Sequence, residues 1–240
     1  MGSSWMLAAP VAMSEDMVLK ISTFVILMLS LAFHEYGHAW SAYKLGDPTA
    51  KELGRLTLNP IPHLHPIFSV ALPLFFIFVQ PGSGIFFAAA RPVPVVPQRL
   101  RHPVRDMMLT SAAGPGMNVL LALVATLLYH LQVQANPGEL EHLATTRGMV
   151  IMSAIQLNLG LAIFNMIPIP PLDGHRVASF FMPEPVRKAY ESIGVIGFLL
   201  LLVLSSRGIL SRMLVPVYEA VNAVWKHLMP GNMSVFGTWI

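Results

Sequence analysis

The sequence predicts an all-α polytopic membrane protein, with about four to six transmembrane helices and a re-entrant, partly β-strand hairpin between the first two core helices. Composition is the first observation behind this: of 240 residues, 55% are hydrophobic and 11% charged, and the mean hydropathy is +0.63. A soluble domain carries about 25% charged residues. The second is a set of apolar stretches near the ~20 residues that a helix needs to cross a bilayer. The third is one apolar segment too short and too broken by Pro and Gly to span.

The stretches justify themselves in chain order. The first runs from about Met17 to Tyr43, the second from Met107 to Leu131 and the third from Met149 to about Ile169. A shorter apolar run covers Glu191 to Ser205, and Met213 to Met229, which carries Glu219 and Lys226, can span or lie in the interface. Between the first two core stretches, PIFSVALPLFFIFV is broken by Pro73, reaches QPGSG and returns as GIFFAAARPVPVV. Such a segment dips into the membrane and comes back; its strand-like half must pack on protein or a polar cavity, because open backbone cannot face lipid. The organisation is an N-terminal segment, 1–16, a membrane-embedded catalytic core, 17–182, and a C-terminal transmembrane or interfacial segment, 183–240. The start, MGSSWM, lacks the basic n-region of a secretory signal, and Met6 stands where a myristoylation motif needs Ser or Thr.

Cysteine is absent, so metal binding and acid–base work fall to His, Asp, Glu and Asn. The net charge of +3 gives no case for a nucleic-acid partner, since basic residues in membrane proteins mark cytoplasmic loops. Within the first apolar stretch lies HEYGH. His34 and His38, four apart on a helix, project from one face, with Glu35 between them. In the HExxH arrangement two histidines hold zinc and the glutamate acts as general base. A charge set this deep needs such a role, for Glu35 stands about nine residues, or roughly 13 Å, inside the end of its stretch at Lys44. A catalytic zinc takes a third protein ligand. Asp173 in FNMIPIPPLDGHRV is the candidate, because Pro168, Pro170 and Pro171 break an apolar helix there and imply a polar cavity.

HEYGH, AGPGMN (Ala113–Asn118) and NMIPIPPLDG (Asn165–Gly174), with GRLTLNP and ARPVPV between them, resemble the site-2 protease family of intramembrane zinc metalloproteases, here of minimal bacterial type without a PDZ or CBS domain. The resemblance spans roughly Phe33 to Val177. It implies zinc on His34, His38 and Asp173, and Glu35 as the base that activates water. It implies a substrate- or oxyanion-holding role for Asn165, and Asn118 lining the site. It also implies substrates that are membrane proteins, such as anti-sigma factors, membrane-tethered transcription factors or signal-peptide remnants. Two departures are His175, where a second glycine is common, and His65, where an acidic residue is common; His63 and His65 are candidate accessory groups. Val93 and Val95, on the returning half of the hairpin, are expected to take an unwound substrate segment as an added β-strand.

Topology bears on the site as well. HExxH and Asp173 both lie toward the C-terminal ends of their helices, so these run parallel with Met107–Leu131 antiparallel between them. The side they share collects Lys44, Lys51, Arg55, Arg91, Arg99, Arg101, Arg105, Arg176, Arg187 and Lys188; the other holds chiefly Lys20, Arg147, Arg207 and Arg212. The positive-inside rule makes the first side cytoplasmic, in a cell (inner) membrane, with the site nearer that side. Two other readings use the same ligands: a non-proteolytic metal-binding membrane protein (transporter or scaffold), and a membrane zinc protease whose third ligand is a downstream glutamate. Small residues such as Ala112, Ala113, Gly114 and Gly116 read as close helix packing.

Overall fold

The computed structural model describes residues 14–79, 89–135, 145–229 and 235–236. Among them the elements are all helical: α1 (Glu15–Leu45), α2 (Thr49–Glu52), α3 (Leu72–Phe78), α4 (Pro103–Ala135), α5 (Thr146–Asn165), α6 (Asp173–Phe180), α7 (Glu184–Glu191), α8 (Gly194–Ser206) and α9 (Ile209–Trp225).

Local chemistry sets the ends. Ser14 accepts from the Met17 N–H at 3.3 Å, and Glu15 and Asp16 complement the first turn of α1. Gly46, at φ 116°, ends it in the left-handed region that a side chain would disfavour. Thr145 caps α5 through the Gly148 N–H at 3.1 Å. Past Asn165 the chain runs through non-helical turns, with Pro168, Pro170 and Pro171 lacking the N–H that a helix requires.

Three helices are long and apolar enough to cross a membrane: α1, α4 and α5. The pair α7 and α8, bent by 65°, makes a fourth if it counts as one span. The Met213–Met229 stretch falls in α9, whose 17 residues reach about 25 Å, short of the ~30 Å hydrocarbon core. The chain is thus a multi-pass membrane protein. α4 packs against both α1 and α5, and α1 also touches α5. The directions follow from the ends that meet. Thr146, at the start of α5, donates to Glu15, at the start of α1, at 3.2 Å. The Arg101 N–H, just before α4, donates to the Leu45 carbonyl at 3.1 Å. Hence α1 and α5 run parallel and α4 runs against them.

The apolar core between α4 and α5 holds Ala122, Ala125, Tyr129, Met152, Ile155 and Leu159, closed by Trp225 from α9. The Trp225 indole N–H donates to the Thr126 hydroxyl at 2.9 Å.

The predicted hairpin is described in part. Residues 66–78 enter as one apolar helical run, and the QPGSG tip lies outside the described residues. Residues 89–96 form no strand ladder. Pro92 and Pro94 cannot donate, which leaves this stretch unable to continue a ladder on one edge. It is instead tied to the protein by separate bonds. The Arg91 N–H reaches the His63 carbonyl at 2.7 Å, and Arg55 Nη2 reaches the Arg91 carbonyl at 2.6 Å. Ser69 Oγ donates to the Ala89 carbonyl at 2.7 Å, and the Val96 N–H donates to Asp47 Oδ2 at 2.6 Å.

Candidate metal centre

α1 presents His34 and His38 on one face, with Nε2 atoms 3.0 Å apart and rings at 84°. Asp173, the first residue of α6, brings Oδ2 to 3.1 Å from His34 Nε2 and 3.3 Å from His38 Nε2. Three donor atoms therefore form a triangle with edges of 3.0 to 3.3 Å. Tetrahedral zinc with bonds of about 2.0–2.1 Å spaces its ligand atoms about 3.3 Å apart.

The far side of each ring fixes its proton. His34 Nδ1 lies 2.6 Å from Asn118 Oδ1 and His38 Nδ1 lies 2.7 Å from the Thr110 carbonyl. Both partners are acceptors, so each Nδ1 carries the hydrogen and each Nε2 presents its lone pair toward Asp173. A half-buried Asp beside two imidazole lone pairs has no donor between them; a cation at that point satisfies all three. The donor set fits zinc.

Gly114 of α4 keeps the place open. A Cβ there would stand 2.4 Å from His38 Nε2 and 2.7 Å from His34 Nε2. Gly37 on α1 likewise meets Ala113 backbone, where a Cβ would come within 2.7 Å of its carbonyl oxygen. The small residues of AGPG do serve close packing, but at Gly114 what packs is the pair of imidazoles. A Cβ on Gly116 would meet nothing within 4 Å.

Glu35 is buried, and its donor atom lies in one group with those of His34 and His38. Its Oε2 accepts the Val93 N–H at 2.8 Å. Val93 and Val95 are half-buried on the return segment. Asn165 ends α5, and its Nδ2 donates back to the Leu161 carbonyl at 3.0 Å. Asn118 is placed otherwise than a substrate-lining residue would be. It is fully buried behind His34, Oδ1 engaged by that ring and Nδ2 donating to Asn158 Oδ1 at 3.0 Å and the Ser30 carbonyl at 3.4 Å. No polar atom of Asn118 is left for a substrate.

The extra histidines stand apart from the triangle. His63 is buried and donates through Nε2 to the Thr57 carbonyl at 2.9 Å. His65 accepts the Ile67 and Phe68 N–H groups at the head of the 66–78 run. His175 Nδ1 donates to the Leu172 carbonyl at 2.5 Å, which tightens the turn that carries Asp173.

Sequence reasoning missed two residues. Asn158, buried in α5, holds Asn118 and itself donates to the Ala154 carbonyl at 2.9 Å. A lone Asn in an apolar helix is a signal, since it needs a partner. Asp47, with no exposed surface, accepts from the Thr49 N–H at 3.0 Å, the Thr49 hydroxyl and the Val96 N–H.

Relatives carry the same reading. YwhC of Bacillus subtilis is 37% identical over 196 residues, covering 82% of this chain and 85% of that protein, and the sequence profile of peptidase family M50 matches residues 133–204. The chain belongs to peptidase family M50. Among further M50 relatives, Rip2 of Mycolicibacterium smegmatis is 30% identical over 189 residues, 77% of this chain and 66% of that protein. Rip2 of Mycobacterium tuberculosis is 28% identical over 204 residues, 81% and 69%. YwhC and both Rip2 proteins are named by assignment as zinc metalloproteases. No solved structure matches. The M50 profile covers Asp173 but not HEYGH, so the geometry joins two motifs that the profile match does not span. The chain is a zinc metallopeptidase of the site-2 protease family.

Proposed function

We propose that this M50 peptidase hydrolyses a peptide bond within or near the transmembrane segment of another membrane protein. One observation carries the reading: the His34–His38–Asp173 triangle lies among helices long and apolar enough to cross a bilayer, where a soluble substrate has no route. Membrane-tethered transcription factors, anti-sigma factors and signal-peptide remnants are the substrate classes that suit such a site. The membrane-embedded catalytic core is residues 17–182, preceded by an N-terminal segment, 1–16, and followed by a C-terminal transmembrane or interfacial segment, 183–240. The basic side, on which Arg55, Arg91 and Arg99 fall, is the cytoplasmic side of the cell membrane, and the site opens toward it.

His34, His38 and Asp173 would hold the metal, and the acceptors on the two histidine Nδ1 atoms fix each tautomer and aim each Nε2 at it. Zinc, when bound, acidifies water and polarises a carbonyl. Glu35 takes the proton from the attacking water and gives it to the leaving amine, a general acid–base role worth about 10²–10⁴-fold. Asn165 turns its amide from Leu161 toward the oxyanion, where one donor contributes about 2.7–4 kcal/mol. A transmembrane helix hides its carbonyls in its own hydrogen bonds, so the substrate unwinds locally and adds to Val93 and Val95 as an extended strand.

The test is zinc per chain in detergent. We expect near-stoichiometric metal in the wild type and in Glu35→Gln, and little in Asp173→Ala. Glu35→Gln also loses cleavage of a synthetic transmembrane peptide. Equal metal in wild type and Asp173→Ala would remove Asp173 from the ligand set.

A further inference from the structure

Residues 89–96 offer two edges, and they are chemically unequal. In an extended chain the N–H and C=O of one residue share an edge, and the next residue uses the other. Residues 89, 91 and 93 all turn the same way. Ala89 N–H meets the Phe68 carbonyl at 3.3 Å, Arg91 N–H meets the His63 carbonyl, and Val93 N–H meets Glu35. The opposite edge belongs to residues 90, 92 and 94, of which Pro92 and Pro94 have no N–H. Arg91 and Val93, each preceding a proline, are held extended by that neighbour. An incoming strand therefore finds almost no donors on the outer edge. On the inner edge, Ala89 and Arg91 are already committed to backbone partners, and Arg91 is held a second time by Arg55. Val93 differs: its N–H goes to a side chain, the carboxylate that the chemistry requires.

We infer that the Val93 N–H is a two-position donor, held by Glu35 in the resting enzyme and passed to a substrate carbonyl when an extended segment pairs on the metal-facing edge. The inference rests on the proteolytic reading above and adds the edge, the register and a coupling between them. Substrate pairing at residue 93 frees Glu35 Oε2 at the moment a peptide bond lies beside it. An edge blunted by two prolines also keeps the segment from capturing a strand away from the metal. Val96, fixed by Asp47, holds the far end while Val93 changes partner.

The experiment replaces the Val93 amide by an ester, with α-hydroxyisovalerate incorporated at position 93, in the zinc-loaded Glu35→Ala chain. The readout is the Kd of a fluorescent synthetic transmembrane peptide with an Asn-Pro break. Glu35→Ala removes the resting acceptor, so the ester deletes only the bond to the peptide, and it prevents turnover. Loss of that one neutral hydrogen bond weakens binding roughly two- to tenfold, whereas with Glu35 intact the ester removes the resting bond as well and shifts KM by less. Pro94→Ala, which returns a donor to the outer edge, leaves Kd within about twofold. Unchanged Kd with a lowered kcat makes Val93 a holder of Glu35 alone and overturns the exchange. A Kd tightened by Pro94→Ala places the substrate on the outer edge and overturns it as well. Failure of the wild type to cut the peptide, with binding still sensitive to the ester, would count against the proteolytic reading and not against the exchange.

Discussion

The bundle of α1, α4 and α5 and the pair α8 and α9 are both built from apolar helices, yet they bury different things. In the bundle the buried residues include Ser30, His34, Glu35, Thr110, Ser111, Asn118 and Asn158 beside the apolar ones. In α8 and α9 the buried side chains described are Leu201, Leu210 and Trp225, all apolar or aromatic, while Ile196, Leu199 and Val203 stand more than half exposed. A buried polar group is tolerated only with a partner. In the bundle the partners form one chain of bonds, from Asn158 through Asn118 to His34, whose other ring nitrogen faces Asp173. Polarity is therefore concentrated where it holds a metal, and the exposed apolar face of α8 is suited to lipid.

The contrast can be broken most severely at Gly114. Gly114→Ala sets a methyl against both Nε2 atoms, and we expect zinc per chain to fall to below about a tenth of wild type, the upper range for disturbing metal-ligand support. Near-normal zinc in that variant would show that α4 yields freely. Asn118→Leu removes the acceptor that orients His34; zinc affinity should weaken about 10–100-fold by competition with a chelator. Asn158→Ala acts one bond further away and should cost roughly two- to tenfold in the same assay, the worth of a single hydrogen bond. Leu199→Ala, on the exposed face of α8, should change neither zinc nor stability by more than about 0.5 kcal/mol. A larger loss at Leu199 than at Asn158 would invert the comparison.

Acid sharpens it at the edge of the bundle. Burial opposes ionisation of Asp47, but hydrogen bonds from Thr49 and Val96, with Arg99 nearby, outweigh it and hold its carboxyl below the usual carboxylate value. A depressed folded-state pKa stabilises the fold above the unfolded value of about 3.9 and ceases to do so as pH falls through the folded value. Thermal unfolding should therefore lose this contribution below about pH 4, and Asp47→Asn should flatten that part of the profile.

Much of this was legible before any coordinates. HEYGH declares a shared face because i and i+4 spacing does so on any helix, and the need for Asp173 followed from zinc chemistry plus a proline-broken helix end. The parallel course of α1 and α5 was legible for the same reason. Other parts were not. The sequence places Asn118 near the site but says nothing of which way its amide turns, and it turns to His34 rather than to a substrate. Asp47 reads as a turn residue after Gly46, because nothing local discloses that Val96, far along the chain, will donate to it. The strand expected in GIFFAAARPVPVV is, over its described part, extended backbone tied down bond by bond, since alternate prolines cannot sustain a ladder.

The tie between Glu15 and Thr146 has a geometric consequence. His34 lies as many residues beyond Glu15 as Asn165 lies beyond Thr146, so at 1.5 Å per residue both stand about 28 Å from a common starting level. α5 ends at that height, whereas α1 continues to Leu45, about 16 Å further. The shorter helix works as a depth gauge and the longer one as a wall, and the metal triangle sits at the bottom of the step between them. The height of that step is about half of the ~30 Å hydrocarbon core, so water that descends along it reaches the level of Glu35.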